Sequence, residues 1–221
     1  MENPKEIVAK SALRYITSGD VVGLGTGTTA SEFIKALGAS PLSKEVTCVP
    51  TSLETESLAK RVGLNLVSLN SVERIDITVD GADEVDNNKN LLKGGGGALT
   101  REKIVAHYSK RYVIVITEEK LVENLGSRMP IPIEVLPFSY VQIIRELNQM
   151  GLSCQLRKNF TTDNGNYIID CKPNQKVLKG SLQDLNKAIK LLPGVVETGI
   201  FINFNPEILY HKNGQVLEIK Q

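Results

Sequence analysis

The sequence predicts an α/β protein: a doubly wound, Rossmann-like parallel sheet with a second, smaller ferredoxin-like α+β domain. Short apolar runs alternate with helix-length segments up to about residue 117, a pattern typical of parallel βαβ units. Polar loops follow three of these runs, and the first of these loops is rich in glycine. After Pro130 the order of segments becomes βαββαβ, which is that of a split-βαβ domain.

The elements of the first part follow one another in a regular alternation. Ile7, Val8 and Leu13 recur at helical spacing, and SGD then breaks the pattern before the apolar run VVGLG, which indicates a helix, a turn and a buried strand. The same alternation predicts helices near residues 29–37, 53–61 and 98–108, and strands at 46–49, 75–79 and 112–116. Ligands of such sheets bind outside the carboxyl ends of the strands, so the loops GTGTT, DGADEVD and TEEK are expected to share one edge.

The second part begins with the strand IPIEVL and a helix at 140–150. LSCQLR and NYIIDC then predict two strands around the turn residues DNG, followed by a helix at 182–191 and a strand over GVVETGIF. The tail EILYHKNGQVLEIK predicts a hairpin with Asn213-Gly214 at its turn, returning to the first domain. The predicted domains are therefore 1–129 with 205–221, and 130–204.

Composition favours a small-molecule partner. The formal net charge is +1, from 26 Lys+Arg against 25 Asp+Glu, and no basic block stands out, so neither nucleic acid nor a membrane surface is an expected partner. No apolar leader segment and no run of eighteen apolar residues occurs, which predicts a cytoplasmic protein. Cys48, Cys154 and Cys171 are widely spaced without a zinc pattern, and reduced thiols are expected.

The loop GLGTGTTA satisfies the loose dinucleotide pattern GxGxxG/A between Gly25 and Ala30. The second strand ends in CVPTS and lacks the acidic residue that would hold a ribose, which counts against NAD, and no GxxxxGK[ST] motif indicates ATP or GTP. Backbone N–H groups with the hydroxyls of Thr26, Thr28 and Thr29 at a helix start favour a phosphate monoester. Turn glycines with a threonine cap are an equally good interpretation of this loop by itself.

The acidic loop carries Asp80, Asp83, Glu84 and Asp86. A calcium loop starting at Asp86 would put Leu91 where a glycine is required, so that pattern fails. A divalent ion on two of these carboxylates stays open, as does a solvated acidic turn. Asp80 directly ends a buried strand, which favours function over a solvated turn.

The segment KGGGGALTREK contains a lysine, four consecutive glycines and a glutamate near a helix start. Four glycines enlarge the conformational entropy lost on folding, so their exposed N–H groups are expected to hold a polar, anionic small molecule. Lys93 and the N–H groups of Gly94–Gly96 are candidate donors to such a ligand. Without the neighbouring loops, the preferred interpretation of Glu102 is an exposed helix-start glutamate between Arg101 and Lys103.

Taken together, GLGTGTTA, DGADEVD and KGGGGALTREK closely resemble ribose-5-phosphate isomerase of the A type. GSRMPIPIEV, DNGNYIID and PGVVETGIF are similar to that family as well, with mild departures at Thr28, where serine is common, and Thr198, where asparagine is common. The resemblance implies interconversion of ribose 5-phosphate and ribulose 5-phosphate in the pentose phosphate pathway, without cofactor or metal, in a homodimer or homotetramer. It assigns Glu102 as the base. The residues that it assigns to catalysis with Glu102 or to substrate binding are Lys5, Thr26, Gly27, Thr28, Thr29, Asp80, Gly81, Ala82, Asp83, Lys93, Gly94, Gly95, Gly96 and Lys120.

The residue chemistry agrees with an aldose–ketose isomerase. One base must move a proton between C2 and C1, and donors must stabilise the enediolate that forms. Two alternatives stay open, a sugar-phosphate sensor without turnover and a coenzyme-A transferase-like enzyme with a glutamate nucleophile. Neither explains Asp80, Asp83, Lys93 and Glu102 together.

Overall fold

The computed structural model describes residues 3–219 and divides the chain into two compact units. Unit 1 holds the described residues up to Ala82, Arg101–Lys120 and the described residues from Phe204 onward, and unit 2 holds Asp83–Thr100 and Leu121–Asn203. The prediction placed 83–100 and 121–129 in the first domain, whereas both segments belong to unit 2, where short strands of the first pair with a strand near residue 200. How the chain divides into independently folding domains stays a prediction.

The helices are α1 Pro4–Ser11, α2 Thr28–Ala39, α3 Leu53–Arg61, α4 Leu99–His107, α5 Tyr140–Gln149, α6 Gln175–Leu178 and α7 Leu182–Lys190. The strands are β1 Val21–Leu24, β2 Thr47–Pro50, β3 Asn65–Leu66, β4 Ile75–Asp80, β5 Glu84–Val85, β6 Leu91–Leu92, β7 Ser109–Thr117, β8 Ile131–Val135, β9 Leu152–Leu156, β10 Tyr167–Pro173, β11 Val195–Thr198, β12 Ile200–Phe201, β13 Glu207–Lys212 and β14 Gln215–Ile219. The predicted elements are confirmed within a few residues, and β3, β5, β6 and α6 were not predicted.

Unit 1 contains a seven-stranded sheet in the order β14-β13-β7-β4-β1-β2-β3. All neighbours are parallel except β13 and β14. The strand order turns in both directions from β1, which confirms the doubly wound sheet. The predicted hairpin is confirmed too: Asn213 and Gly214 have φ values of 48° and 80°, and β13 pairs with β7.

The two faces of this sheet carry different side chains. Val79 and Val113 belong to the apolar core with residues of α1 and α2. Thr78 lies in register with Tyr112, and Asp80 ends the same strand. Since side chains alternate along a strand, Thr78, Asp80 and Tyr112 share the opposite face.

Unit 2 contains an antiparallel sheet in the order β11-β8-β10-β9, with α5 and α7 in the βαββαβ sequence. This confirms the predicted ferredoxin-like α+β domain. The predicted strand GVVETGIF is split at Gly199: β11 joins this sheet, and β12 joins a three-stranded sheet with β6 and β5. A Cβ at Gly199 would lie 2.2 Å from the Lys93 carbonyl oxygen, so only glycine fits where the strand divides.

The prediction of reduced thiols is wrong for two of the three cysteines. Cys154 on β9 and Cys171 on β10 lie directly opposite each other in the antiparallel register and form a disulfide. Their separation of 17 residues in sequence hid this pairing, which depends on the register of the two strands. Cys48 is a buried thiol.

No helix within the described residues has the length and apolar character needed to cross a membrane.

Candidate active site

Asp80 lies at the end of β4 beneath the loop that follows β1, both in unit 1. Its side chain is fully buried, and its Oδ1 accepts hydrogen bonds from the N–H groups of Thr26, at 3.2 Å, and Gly81, at 2.7 Å. A Cβ on Gly25 would lie 2.0 Å from the same oxygen, so the loop can approach the carboxylate only because residue 25 is glycine. Asp80 therefore holds the threonine loop, residues 25–29, against the end of the sheet.

The Thr26 side chain points into a cluster of hydroxyls. Its Oγ1 lies 2.8 Å from Thr51 Oγ1, 2.8 Å from Ser52 Oγ and 3.1 Å from Thr55 Oγ1. Thr55 also donates to the Gly25 carbonyl oxygen at 2.9 Å. These contacts give Thr26 a structural role that the sequence did not predict, and its contact with substrate stays a prediction.

Helix α2 begins at Thr28, directly after the threonine loop turns at Gly27, whose φ is 114°. Gly27 has no side chain to cap the helix, and no side-chain cap is present. Lys5 donates from Nζ to Thr28 Oγ1 at 2.9 Å. The uncapped N–H groups, the Thr28 hydroxyl and an ammonium group thus form the kind of polar helix start that binds phosphate. Thr29 is half-buried in the same first turn.

Lys120 lies in a short 3₁₀ helix after β7 and is half-buried. The pKa of the neighbouring Glu119 is lowered, first by a hydrogen bond from the Thr117 hydroxyl and further by the positive charges of Lys120 and Lys5. Since both ammonium groups act on one carboxylate, unit 1 brings together Lys5 and Lys120, two of the residues that the family resemblance assigned to the substrate.

Glu102 lies in the first turn of α4 and is only 3% exposed. The interpretation of Glu102 as an exposed helix-start residue is therefore wrong. Tyr112 is buried near it: the pKa of this phenol is raised well above its ordinary value, first by burial and then by the negative charges of Asp80 and Glu102. The phenol stays protonated at neutral pH beside two carboxylates.

Sequence reasoning missed Tyr112. The signal was present in the strand alternation, since Tyr112 lies opposite Thr78 in register and Asp80 follows Thr78 by two residues on the same face.

Asp83 and the glycine loop, residues 94–97, lie in unit 2. Asp83 Oδ2 accepts a hydrogen bond from the N–H of Gly95 at 2.7 Å. Gly95 therefore already donates to a carboxylate of the protein, whereas the prediction offered its N–H to the ligand. Lys93 is 2% exposed, and its Nζ lies 5.8 Å from the centre of the Phe201 ring. Gly96 is exposed at the tip of the loop, and Gly94 is buried.

The other acidic residues of the loop after β4 are structural. Glu84 is 1% exposed and accepts backbone hydrogen bonds from Gly126, Arg128 and Met129 at 2.6–2.8 Å. Asp86 closes the turn between β5 and β6 by accepting from the N–H groups at Asn88 and Asn90. Within residues 3–219, no group of three His, Cys, Asp or Glu side chains is arranged to hold a metal ion.

Gly81 and Ala82 connect Asp80 to Asp83 and are both half-buried. Unit 1 thus brings Asp80 into contact with the threonine loop, close enough to Tyr112 to raise its pKa, and Glu102 acts on the same phenol. In unit 2, Asp83 contacts the glycine loop that follows Lys93. The role of each of these residues toward a substrate stays a prediction.

Comparison with known proteins gives one consistent result. Residues 47–214 match the family model of ribose 5-phosphate isomerase A, also called phosphoriboisomerase A. A relative from Bacillus mycoides, ribose-5-phosphate isomerase A, is 44% identical over 97% of this chain and 98% of its own. The solved ribose 5-phosphate isomerase A of Methanocaldococcus jannaschii is 39% identical, covers 98% of both chains and superposes with a TM-score of 0.92. A D-ribose-5-phosphate isomerase in complex with phospho-erythronic acid is 38% identical over 98% of this chain and 97% of its own, with a TM-score of 0.93.

Proposed function

The chain belongs to the ribose 5-phosphate isomerase A family, and we propose that it interconverts ribose 5-phosphate and ribulose 5-phosphate with Glu102 as the general base. Isomerisation of ribose 5-phosphate is the reaction for which its relatives are named. The observation that carries the assignment of the base is the burial of the Glu102 carboxylate in the first turn of α4.

A single carboxylate at this position suits both proton transfers of the reaction. The base removes the proton from C2 of the open-chain aldose and returns it to C1 of the enediolate, so it must reach both carbons from one side. Burial keeps bulk water away from the carboxylate, and its place is the first turn of a helix. This site therefore supplies a base that is shielded from solvent.

The developing negative charge needs donors. Lys93 is a buried lysine, and we assign it to this role on the family resemblance. Asp80 has one oxygen committed to the N–H groups of Thr26 and Gly81, which fixes its carboxylate for taking up a hydroxyl proton during ring opening. Tyr112 keeps its proton near Asp80 and Glu102 and so adds a neutral donor beside two acids.

The phosphate group binds, in this proposal, at the start of α2. Lys5 already contacts the Thr28 hydroxyl there, and the charges of Lys120 and Lys5 both lower the pKa of Glu119. Binding energy from the phosphate is remote from the reacting carbons, so it holds the acyclic sugar without taking part in the chemistry.

The variant Glu102→Gln tests the base, since it keeps the shape of the side chain and removes its basicity. A sole base with no substitute should cost about 10⁴-fold or more in turnover, the upper end of the range for general-base loss. Ketopentose formation from ribose 5-phosphate is the assay. Glu54→Gln is the matched control, because Glu54 is also a first-turn glutamate but is exposed on α3, and parental activity is expected.

Exchange of the transferred hydrogen with deuterium from D₂O is measured in parallel, because it reports enediolate formation even when net turnover is slow. A folded Glu102→Gln protein that still exchanges at the parental rate would exclude Glu102 as the base. Asp80 would then be the next residue to test.

The remaining expectations are also proposals. We propose that the enzyme needs no metal or other cofactor, so turnover should survive treatment with EDTA.

We further propose self-association into a dimer or tetramer. It is supported by three exposed apolar side chains that are close together in the sequence of unit 2: Leu136, Phe138 and Val141. Light scattering of the parent and of Phe138→Ser tests this, with a smaller mass expected for the variant. A cytoplasmic location stays a proposal. Disulfides are rare in the cytosol, so thiol trapping in cells, which reports whether Cys154 and Cys171 are oxidised there, tests it.

A further inference from the structure

Arg157 lies just after β9 in unit 2 and forms a two-point ion pair with Asp170 on β10. Its Nε donates to Asp170 Oδ2 at 2.8 Å, and its Nη2 donates to Oδ1 at 2.6 Å. The two side chains are 19% and 15% exposed. Parallel hydrogen bonds of this kind hold the plane of the guanidinium in one orientation.

The third guanidinium nitrogen of Arg157 reaches the glycine loop, which is 63 residues away in sequence. Nη1 donates to the carbonyl oxygens of Gly94, at 3.2 Å, and Gly95, at 3.1 Å. The ring of Phe160 lies 5.3 Å from Arg157 Cζ, and a Cβ on Gly97 would meet that ring at 2.2 Å. One side chain therefore fixes two successive peptides of the glycine loop, and an aromatic ring lies against the end of the same loop.

Fixing these carbonyl groups also fixes the next N–H groups. In a trans peptide the C=O and the following N–H point in opposite directions. The Gly94 carbonyl faces Arg157, and the N–H of Gly95, in the same peptide, faces Asp83, to which it donates. The Gly95 carbonyl also faces Arg157, so the N–H of Gly96 must point away from the guanidinium, at a residue that is exposed.

Four successive glycines have no side chains to restrict their backbone, and one turn bond, from the Gly97 N–H to the Gly94 carbonyl oxygen at 2.9 Å, closes the loop. The orientation of its peptides therefore depends further on the contacts from Asp83 and Arg157. We propose that Arg157 is a positioning residue of the isomerase: it orients the glycine loop so that the N–H of Gly96 is presented to the reacting end of the sugar phosphate. The inference rests on the proposed function, since it takes the glycine loop to be part of the substrate site. Arg157 itself needs no contact with substrate.

The variant Arg157→Lys is the direct test, because it keeps the positive charge but loses the planar fork that binds both Asp170 oxygens with two nitrogens and the two carbonyl groups with a third. Misplacement of a binding group by about 1 Å can cost up to about 100-fold, and kcat/KM should fall on that scale. Phospho-erythronic acid is the binding probe, since its planar carboxylate resembles the two oxygens of an enediolate. Its affinity, measured by calorimetry, should fall in parallel with kcat/KM.

Inorganic phosphate separates positioning from a general loss of structure. We assign phosphate binding to the start of α2, so phosphate inhibition should be unchanged in Arg157→Lys. Arg145→Lys is the matched control, because Arg145 is an exposed arginine on α5 in the same unit. If Arg157→Lys does not fold, Asp170→Asn decides the question. It keeps the shape of the side chain that holds Arg157 and weakens the two hydrogen bonds between them, so a smaller fall is expected in both kcat/KM and phospho-erythronic acid affinity.

A folded Arg157→Lys protein with parental kcat/KM would overturn the inference, as would equal losses of phospho-erythronic acid and phosphate binding. Failure of the proposed function looks different, since the parent protein itself would then form no ketopentose. An active parent, an inactive Glu102→Gln and a parental Arg157→Lys would leave the function standing and remove Arg157 from it.

Discussion

The threonine loop of unit 1 and the glycine loop of unit 2 anchor their N–H groups in the same way and their carbonyl oxygens in different ways. In each, an aspartate accepts a backbone N–H: Asp80 from Thr26, and Asp83 from Gly95. At the start of the threonine loop the Gly25 carbonyl oxygen accepts from the Thr55 hydroxyl of α3, and the preceding carbonyl, Leu24 of β1, accepts from the Thr51 hydroxyl. On the carbonyl side of the glycine loop, Arg157 donates to Gly94 and Gly95, and the Gly97 N–H donates to the Gly94 carbonyl oxygen at 2.9 Å.

The difference concerns how many groups share the anchoring. Loss of one hydroxyl from the threonine loop leaves other contacts in place, whereas loss of the guanidinium removes a donor from two carbonyls at once and leaves the turn bond from Gly97 to one of them. The first loop also leads directly into α2, which continues its backbone order. The glycine loop should therefore respond sharply to single substitutions and the threonine loop only weakly.

Lys93→Ala sharpens the comparison from the side of the glycine loop, and of the changes that bear on the two loops it has the largest expected effect. Loss of one charge-stabilising donor should lower kcat/KM by about 2 to 4 kcal/mol of transition-state stabilisation. Steady-state kinetics on protein shown to be folded by circular dichroism gives the number. Lys176→Ala, at an exposed lysine of α6, should match the parent. An unaltered kcat/KM for Lys93→Ala would return Lys93 to a structural role.

Alkaline pH is expected to weaken unit 1 in particular. Burial raises the pKa of the Cys48 thiol from 9.0 to about 12, and the pKa of Tyr112 is raised as well. Both groups hold their protons more tightly in the folded state. The stabilisation from Cys48 is complete below about pH 9 and is lost as the pH rises toward 12, at up to about 1.4 kcal/mol per pH unit, and that from Tyr112 is complete below its ordinary pKa of 10.0 and is lost in the same direction above it. In unit 2, Cys154 and Cys171 are disulfide-bonded and do not titrate.

Urea unfolding below about pH 9 and again near pH 11 measures this fall, and Cys48→Ala should make it shallower. An identical slope in parent and variant would mean that the Cys48 thiol does not contribute.

Thr29→Val tests the threonine loop and has the smallest expected effect. Thr29 lies in the first turn of α2, where we place the phosphate, far from the atoms that change charge. KM should rise by about 5-fold, the scale of a single neutral hydrogen bond, with a smaller fall in kcat. Thr161→Val, at an exposed threonine of unit 2, controls for the substitution itself. Undiminished inhibition by inorganic phosphate in Thr29→Val would place the phosphate elsewhere.

Local patterns predicted much of this arrangement. The alternation of apolar runs and helices placed Asp80 at the end of a buried strand, and the motif placed Glu102 at a helix start. Neither pattern indicated how the loops are held. The Thr26 hydroxyl looked like a ligand donor from sequence, because its partners come from a loop 25 or more residues further on.

Other features depend on register or on length. β5 and β6 have two residues each, too short for any periodicity to show. The disulfide required knowledge that Cys154 and Cys171 face each other, and the role of Arg157 required the same pair of strands. The disulfide and the role of Arg157 could not be predicted because both depend on which residues tertiary pairing brings together.

The disulfide leaves the folded protein with Cys48 as its one thiol, and this has a practical consequence. Thiol reagents attack the thiolate, which Cys48 forms only at very high pH while it stays buried. When Cys154 and Cys171 are disulfide-bonded, thiol labelling at neutral pH therefore requires that the core around β2 open and expose Cys48. The labelling rate of Cys48 therefore measures how often unit 1 opens locally, and the measurement needs no introduced probe.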